Sequence, residues 1–514
     1  MDFSIFSSSL QTLLHTDVLI ALFGGVAGGM VIGALPGFSA AMGVALLLPL
    51  TFGMAPIPSM VMLTALYTSA IYGGSITAIL IHTPGTPASA ATADDGFELT
   101  KQGKGLQALG VSTTCSTMGG FLSGVALLFI APMLAKICLW FGPAEYFMVA
   151  LFGLTIIASL CNGGVMKGMA CAAFGLSLSC IGLDSQTGYP RFMYGSTMLA
   201  DGLQTIPLLI GLFSISQVMI MSEEAQNANA SLVDKAVSNL KGKMLLPLRE
   251  WIGLIIPTIR SSIIGIIVGI LPGAGGDIAS YLAVNMGKNS SKHPELYGKG
   301  SFEAVACAET ANNAVSGGAM IPLLTLSIPG SATAAILLGG FTMHGLIPGS
   351  SLFTEQAGQV YPIIIGFTLS NLVMGVLGLL AARYVAKVTV VPISVLAPII
   401  VVLATLGSYA MKLSMLDVWI MAIFGLIGYL MRKHDLITAP IVLAIILGPL
   451  AERNLLRSLI VKRSATFFDY YMSRPIVLVL VALSVISIAI PLIRELRGKN
   501  KKAAVAATDI LEQE

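Results

Sequence analysis

Four of the chain's Pro-Gly pairs sit in apolar runs, each followed by small or hydroxyl side chains. Pro36-Gly37 leads to Ser39, Pro84-Gly85 to Thr86, Pro272-Gly273 to Ala274 and Gly275, and Pro329-Gly330 to Ser331. Proline breaks a helix because it lacks an N–H and clashes with the preceding turn, and glycine accepts the turn that follows. A helix restarting after such a break presents bare N–H groups and the positive end of its dipole, which bind an anion without a fixed cation. Unwound carbonyls on the other side of a break can hold a cation. Small residues let a carboxylate reach the backbone, and Ser or Thr adds a donor. Two such half-sites facing one another suit a substrate with two or more carboxylates. The competing reading is structural: Pro-Gly kinks are common in membrane helices, and Ser or Thr often bonds its own backbone.

Other polar residues fall near these pairs. Asn312 and Asn313 carry amides able to serve a carboxylate or Na⁺. Asp277, Glu309 and Asp94 are candidates for a coupling cation, because intramembrane carboxylates are costly and usually functional; each also fits a residue at a helix end. His82 stands alone before Thr83-Pro84 and reads more readily as satisfied by a carbonyl than as a proton relay. No HExxH, G-x-S-x-G or Walker A motif occurs, so zinc proteolysis, elbow-type hydrolysis and P-loop nucleotide hydrolysis have no machinery. Ala274-Gly275-Gly276-Asp277 falls one position short of the G-x-G-D of intramembrane aspartyl proteases, and no Tyr-Asp partner lies in an apolar span. The six cysteines form no CxxC pair and read as packing residues, so neither a structural metal nor a cofactor is expected. The expectation is a binding and passage protein, not an enzyme.

The elements that must position these residues follow from composition. Of 514 residues, 55% are hydrophobic and 10% charged, against about 25% charged in soluble chains. Many stretches reach the roughly 20 apolar residues that cross a bilayer. An all-α polytopic membrane protein with about eleven to fourteen crossings is expected. The net charge of +3 comes from basic residues scattered in loops and indicates no nucleic acid.

Gly29-Met-Val-Ile-Gly33-Ala-Leu-Pro36-Gly37 returns as Gly265-Ile-Ile-Val-Gly269-Ile-Leu-Pro272-Gly273, 236 residues later. Glycines four apart let membrane helices approach closely. A second correspondence pairs Tyr72-Gly73-Gly74 through Pro84-Gly85-Thr86 with Ser316-Gly317-Gly318 through Pro329-Gly330-Ser331. The first of these stretches reads as a re-entrant hairpin or a broken helix. The chain divides into a first transmembrane repeat over 1–221, a polar linker over 222–250, a second repeat over 251–493 and a tail over 494–514. The repeats are expected to be inverted, as broken-helix repeats in transporters often are. Basic residues in the linker and between Arg494 and Lys502 place both on the cytoplasmic side. The N-terminal stretch lacks the basic region of a signal peptide and is expected to face outward. A channel shares the breaks, but channels usually assemble short repeats around a symmetric pore.

The runs GALPGFSAAMGVALLLPLTFGM, YGGSITAILIHTPGTPASAATADDG, GILPGAGGDIASYLAVN and ETANNAVSGGAMIPLLTLSIPGSATAAILLGG resemble the large membrane subunit of the tripartite tricarboxylate transporters. The likeness spans roughly residues 15–470. It implies import of carboxylates such as citrate across the bacterial inner membrane, driven by a Na⁺ or H⁺ gradient instead of ATP. It further implies two partners: a small four-helix membrane subunit and a periplasmic substrate-binding protein. The binding region would lie at the four Pro-Gly boxes. Thr86-Pro87 in one box against Ser331-Ala332 in its counterpart makes the half-sites chemically unequal.

Overall fold

The computed structural model describes residues 3–35, 37–159, 164–184, 186–224, 243–273, 275–385, 391, 393–434, 436–462, 466–489 and 491–493. Pro36, Ala274, most of the polar linker and the 494–514 tail lie outside the described residues. The described chain is helical apart from one hairpin of two-residue strands, β1 (Gly182–Leu183) and β2 (Pro190–Arg191). Ten described helices are long and apolar enough to cross a membrane, and four shorter apolar helices accompany them. Two of the short ones, Ala40–Thr51 and Ala332–Met343, follow Pro-Gly pairs. The protein is thus an all-α multi-pass membrane protein.

The chain forms two compact units, Met1–Leu139 with Gln204–Tyr429, and Trp140–Leu203 with Leu430–Glu514. The first unit begins with α1 (Phe3–Leu13), α2 (Thr16–Ala34), α3 (Ala40–Leu47) and α4 (Pro56–Ile81). After a short turn over Pro87–Ser89 come α5 (Ala90–Lys101) and α6 (Gly105–Cys138). It resumes with α9 (Thr205–Glu223), in which Ile210–Ile215 is π-helical. Then follow α10 (Leu248–Ile270), α11 (Gly275–Ser290), α12 (Phe302–Leu326), α13 (Ala332–Met343), α14 (Ala357–Val385), α15 (Ile393–Ala410) and α16 (Met415–Lys433).

Helices α4 and α12 are buried on every side, as expected of helices without a lipid-facing stripe. Gly73-Gly74 does not interrupt α4; the helix runs on to Ile81 and ends where His82 turns left-handed at φ 54°. Ser327 ends α12 the same way at φ 59°. Glycines let neighbouring backbones touch. A Cβ added to Gly29 or Gly33 of α2 would overlap the Leu66 or Ala70 carbonyl of α4. One added to Gly265 or Gly269 of α10 would overlap the Ala311 or Val315 carbonyl of α12. The glycines are 236 residues apart and the carbonyls they meet 245 apart, the difference falling between α10 and α12, where α11 is longer than α3.

The second unit holds α7 (Pro143–Ser159), α8 (Val165–Ser179), the hairpin, α17 (Ala439–Val461), α18 (Phe467–Met472) and α19 (Pro475–Ile493). It is tied by polar contacts at helix ends. Arg474 donates to both oxygens of Glu145 at 2.8 Å, and Arg191 pairs with Glu452. Tyr471 stacks on Phe467 and meets Ser458 Oγ at 2.7 Å.

Candidate functional site

Both helices that carry the first and third Pro-Gly pairs stop in the same way. α2 ends at Leu35 (φ −75°, ψ 121°) and α10 at Leu271 (φ −79°, ψ 119°). The chain then turns through Gly37 at φ 81° and Gly273 at φ 79°, a left-handed conformation that a side chain would strain. Gly37 is exposed, beside Gln217 and Met221 of α9. Ser39 caps α3 by accepting from Met42 N–H at 3.1 Å. Ser331 caps α13 by accepting from Ala334 N–H at 3.2 Å. In both cases the serine oxygen consumes one of the free donors at the helix start, leaving fewer for a ligand.

The boxes of each half touch through backbone. Gly85 N–H donates to Gly74 O at 3.1 Å, and Gly85 packs on the Gly33 carbonyl. Gly273 N–H donates to Gly330 O at 2.9 Å, and a Cβ on Gly330 would lie 2.5 Å from Gly269 O. The helices that restart after the boxes meet across the halves instead. α13 packs on the end of α3, with Gly340 against Leu48. The start of α11 meets the Pro87–Ser89 turn, with Gly276 against Ala88.

Two unequal half-sites result. In one, Tyr67 OH lies 3.2 Å from Ser331 Oγ, so the phenol and the capping serine satisfy one another. In the other, Thr86 Oγ1 bonds Ser89 Oγ at 2.8 Å, and Asn312 stands at the start of α11. Asn312 is 0% exposed, and neither its Oδ1 nor its Nδ2 has a hydrogen-bond partner. Its Oδ1 points at Gly276, where an added Cβ would lie 2.5 Å away. A buried amide without partners costs a few kcal/mol. Asp277 is half-buried in the first turn of α11.

Asn313 points elsewhere. Its Nδ2 donates to Thr68 O and Thr68 Oγ1, both at 3.2 Å. Thr68 Oγ1 in turn donates to Asn371 Oδ1 at 2.6 Å, and Asn371 Nδ2 to Phe367 O at 2.8 Å. Thr68 and Asn313 stand 245 residues apart, as do Tyr67 and Asn312. Thr68 and Asn313, matching positions of α4 and α12, therefore face each other, whereas Tyr67 and Asn312 turn to different half-sites.

Glu309 sits one turn before Asn312 on α12 and is 0% exposed. Thr92 Oγ1 donates to its Oε1 at 2.5 Å, Ser116 Oγ to its Oε2 at 2.9 Å and Ser112 Oγ to Oε2 at 3.3 Å. Ser75 Oγ meets Ser112 Oγ at 2.7 Å. Asp94 lies apart from this cluster: its exposed carboxylate is 3.7 Å from the exposed His82. Asp95 turns inward, its Oδ1 accepting from the N–H groups of Gly298, Gly300 and Ser301 at 2.8 to 3.0 Å. Among the described residues no group of three His, Cys, Asp or Glu is arranged to hold a metal.

Tyr67, Thr68, Thr92, Ser112, Ser116 and Asn371 are not singled out by sequence alone. One signal was available, since Ser112 and Ser116 lie four apart and share a helix face. The others acquire meaning only from partners about 200 to 300 residues away.

These features define a multi-pass helical membrane protein with a polar centre. A family model described as the tripartite tricarboxylate transporter TctA family matches residues 19–443. The chain belongs to that family, a family of transporters and not of enzymes. It is 34% identical over 499 residues to an uncharacterized 52.8 kDa protein of the TAR-I ttuC′ 3′ region of Agrobacterium vitis, covering 97% of this chain and 98% of that protein. A second Agrobacterium vitis protein, uncharacterized and from the TAR-II ttuC′ 3′ region, is 34% identical over 242 residues, 47% of this chain and 99% of its own. No solved structure matches.

Proposed function

We propose that the chain is the permease subunit of a binding-protein-dependent secondary transporter that imports a citrate-like tricarboxylate or a related di- or monocarboxylate. A Na⁺ or H⁺ gradient drives it through alternating access. The family supports a tricarboxylate transporter permease subunit. The observation that carries the finer reading is Asn312: a buried, partnerless amide at the start of a 16-residue helix. A carboxylate there would receive the Nδ2 donor, the N-terminal N–H groups of α11 and the hydroxyls of Thr86 and Ser89. Ser331 and Tyr67 form the opposite half-site, where the phenol–serine contact must open before a second carboxylate binds. The duplicated glycine contacts and helix ends support two structural repeats, read as inverted. The protein works in the bacterial inner membrane with a small four-helix subunit and a periplasmic binding protein. Its linker and C-terminal tail face the cytoplasm.

Asn312→Leu tests this with a side chain of similar size. Citrate uptake into liposomes carrying the membrane subunits should fall about 10- to 100-fold, the worth of one hydrogen bond to a charged group. Thermal stability should hold or rise, because a costly buried amide is removed. Unchanged uptake with lowered stability would make Asn312 a packing residue.

A further inference from the structure

The substrate half-site and the Glu309 cluster are built on the same two segments. α12 carries Glu309 and, three residues on, Asn312. The stretch from Thr86 to Thr92 supplies the hydroxyl facing one and the turn facing the other. Every donor to Glu309 is a neutral hydroxyl, and Glu309 makes no ion pair among the described residues. An ionised carboxylate in such a place costs several kcal/mol, because hydroxyls satisfy its lone pairs without cancelling its charge. Those hydroxyls touch the carboxyl oxygens directly, at hydrogen-bond distance. The cancelling charge that fits this packing is a proton on the carboxyl itself, not an ion lodged between the oxygens.

The titratable groups around it offer no substitute. Tyr72 of α4 is bonded to Thr113 at 2.7 Å, and Cys115 of α6 lies 3.7 Å from Thr258. Arg260 of α10 lies 3.9 Å from Cys307 Sγ, and Asp95 of α5 is held by the backbone of 298–301. Asp94 and Glu98 of α5 face His82 and Lys101, Glu303 of α12 accepts from Ser291, and Asp277 lies at the start of α11.

We propose that Glu309 carries the coupling proton, so that the driving ion is H⁺ and not Na⁺; this rests on the transport reading above. The carboxyl takes one proton from the outer solution, packs neutral with its own O–H donated to one of the hydroxyls of Thr92, Ser112 and Ser116, which then accepts, and returns the proton to the inner solution. When it ionises, the hydroxyl cluster must loosen and admit water. Thr92 then moves the segment that ends in the Thr86 half-site.

Infrared difference spectra of the purified full chain in lipid should show the carbonyl stretch of a protonated carboxyl at neutral pH, absent in Glu309→Gln. Thr92→Val and Ser116→Ala keep the carboxyl and should shift that band without deleting it, which covers the case of a poorly folding glutamine variant. In proteoliposomes, the ratio of citrate accumulation under an acid-outside gradient in Na⁺-free buffer to citrate counterflow should fall at least about tenfold in Glu309→Gln. A wild-type spectrum without the Glu309 band, or accumulation by Glu309→Gln that still follows the pH gradient, overturns the proposal. If the wild type shows no citrate counterflow, the transport reading fails instead, and the band alone decides the protonation of Glu309.

Discussion

Residue identity matters most where a polar side chain is buried, and Asp95 shows how. Its one oxygen gathers three N–H groups of the chain leading into α12, ending at Ser301, whose own hydroxyl caps that helix at Ala304 N–H. Asp95→Ala leaves three donors without this acceptor, the buried Ser301 N–H among them, and should cost about 2 kcal/mol, read as a lower midpoint in thermal unfolding in lipid. Asp95→Asn keeps an acceptor oxygen and should recover part of that loss. Asp94, its neighbour, is exposed, so Asp94→Ala should change stability by less than about 0.5 kcal/mol. Equal losses for the two would refute the assignment of Asp95 as an anchor. Adjacent aspartates on one helix thus have unlike duties, and only their directions separate them.

At the scale of elements, the glycines of α2 and α10 set how near the central helices lie. Gly33→Ala would drive a methyl into the Ala70 backbone, and Gly269→Ala into that of Val315. Backbone cannot yield as a side chain can, so each should cost at least about 2 kcal/mol and displace the Pro-Gly turn one residue-pair further on. Gly24 of α2 has open space around its Cβ position; Gly24→Ala should be neutral or stabilising by about 1 kcal/mol through helix propensity. Folded yield and melting of the three variants check this. The hairpin of the second unit makes a different prediction. Asp184 accepts from Thr187 and Gln186 N–H and from the Thr187 hydroxyl. The backbone donors of Thr187 and Gln186 hold its carboxyl below the usual aspartate range. A lowered value means the turn is supported above the ordinary aspartate value and loses that support as pH falls through the lowered one. Protection factors for amide exchange at Gln186 and Thr187, taken against the intrinsic rate at each pH, should therefore fall below about pH 4 and be low at all pH in Asp184→Ala.

For the whole molecule, the compact units do not follow the order of the chain. Each draws on stretches before and after the polar linker. Contacts of the first unit cross the sequence halves at its centre: Thr68 with Asn313 and Asn371, Glu309 with Thr92, Ser112 and Ser116. A fragment ending at Glu224 and one starting at Lys243 should each fail to fold alone and recover uptake when co-expressed. Independent folding of either fragment, judged by monodisperse purification, would contradict this shared centre.

The sequence by itself determined that the chain is helical and crosses a membrane many times, because apolar stretches without charge have no other way to satisfy their backbone there. It also marked the helix ends at Leu35 and Leu271, since Pro-Gly chemistry is local, and the close helix faces, since glycines four apart share one side. Partner choice was decided only by the tertiary structure. Asn312 and Asn313 are adjacent and chemically identical, yet one is bonded across the halves and the other is left without a partner beside Gly276. Neighbours on a helix point about 100° apart, so which of two identical amides meets a ligand depends on the helices packed around them.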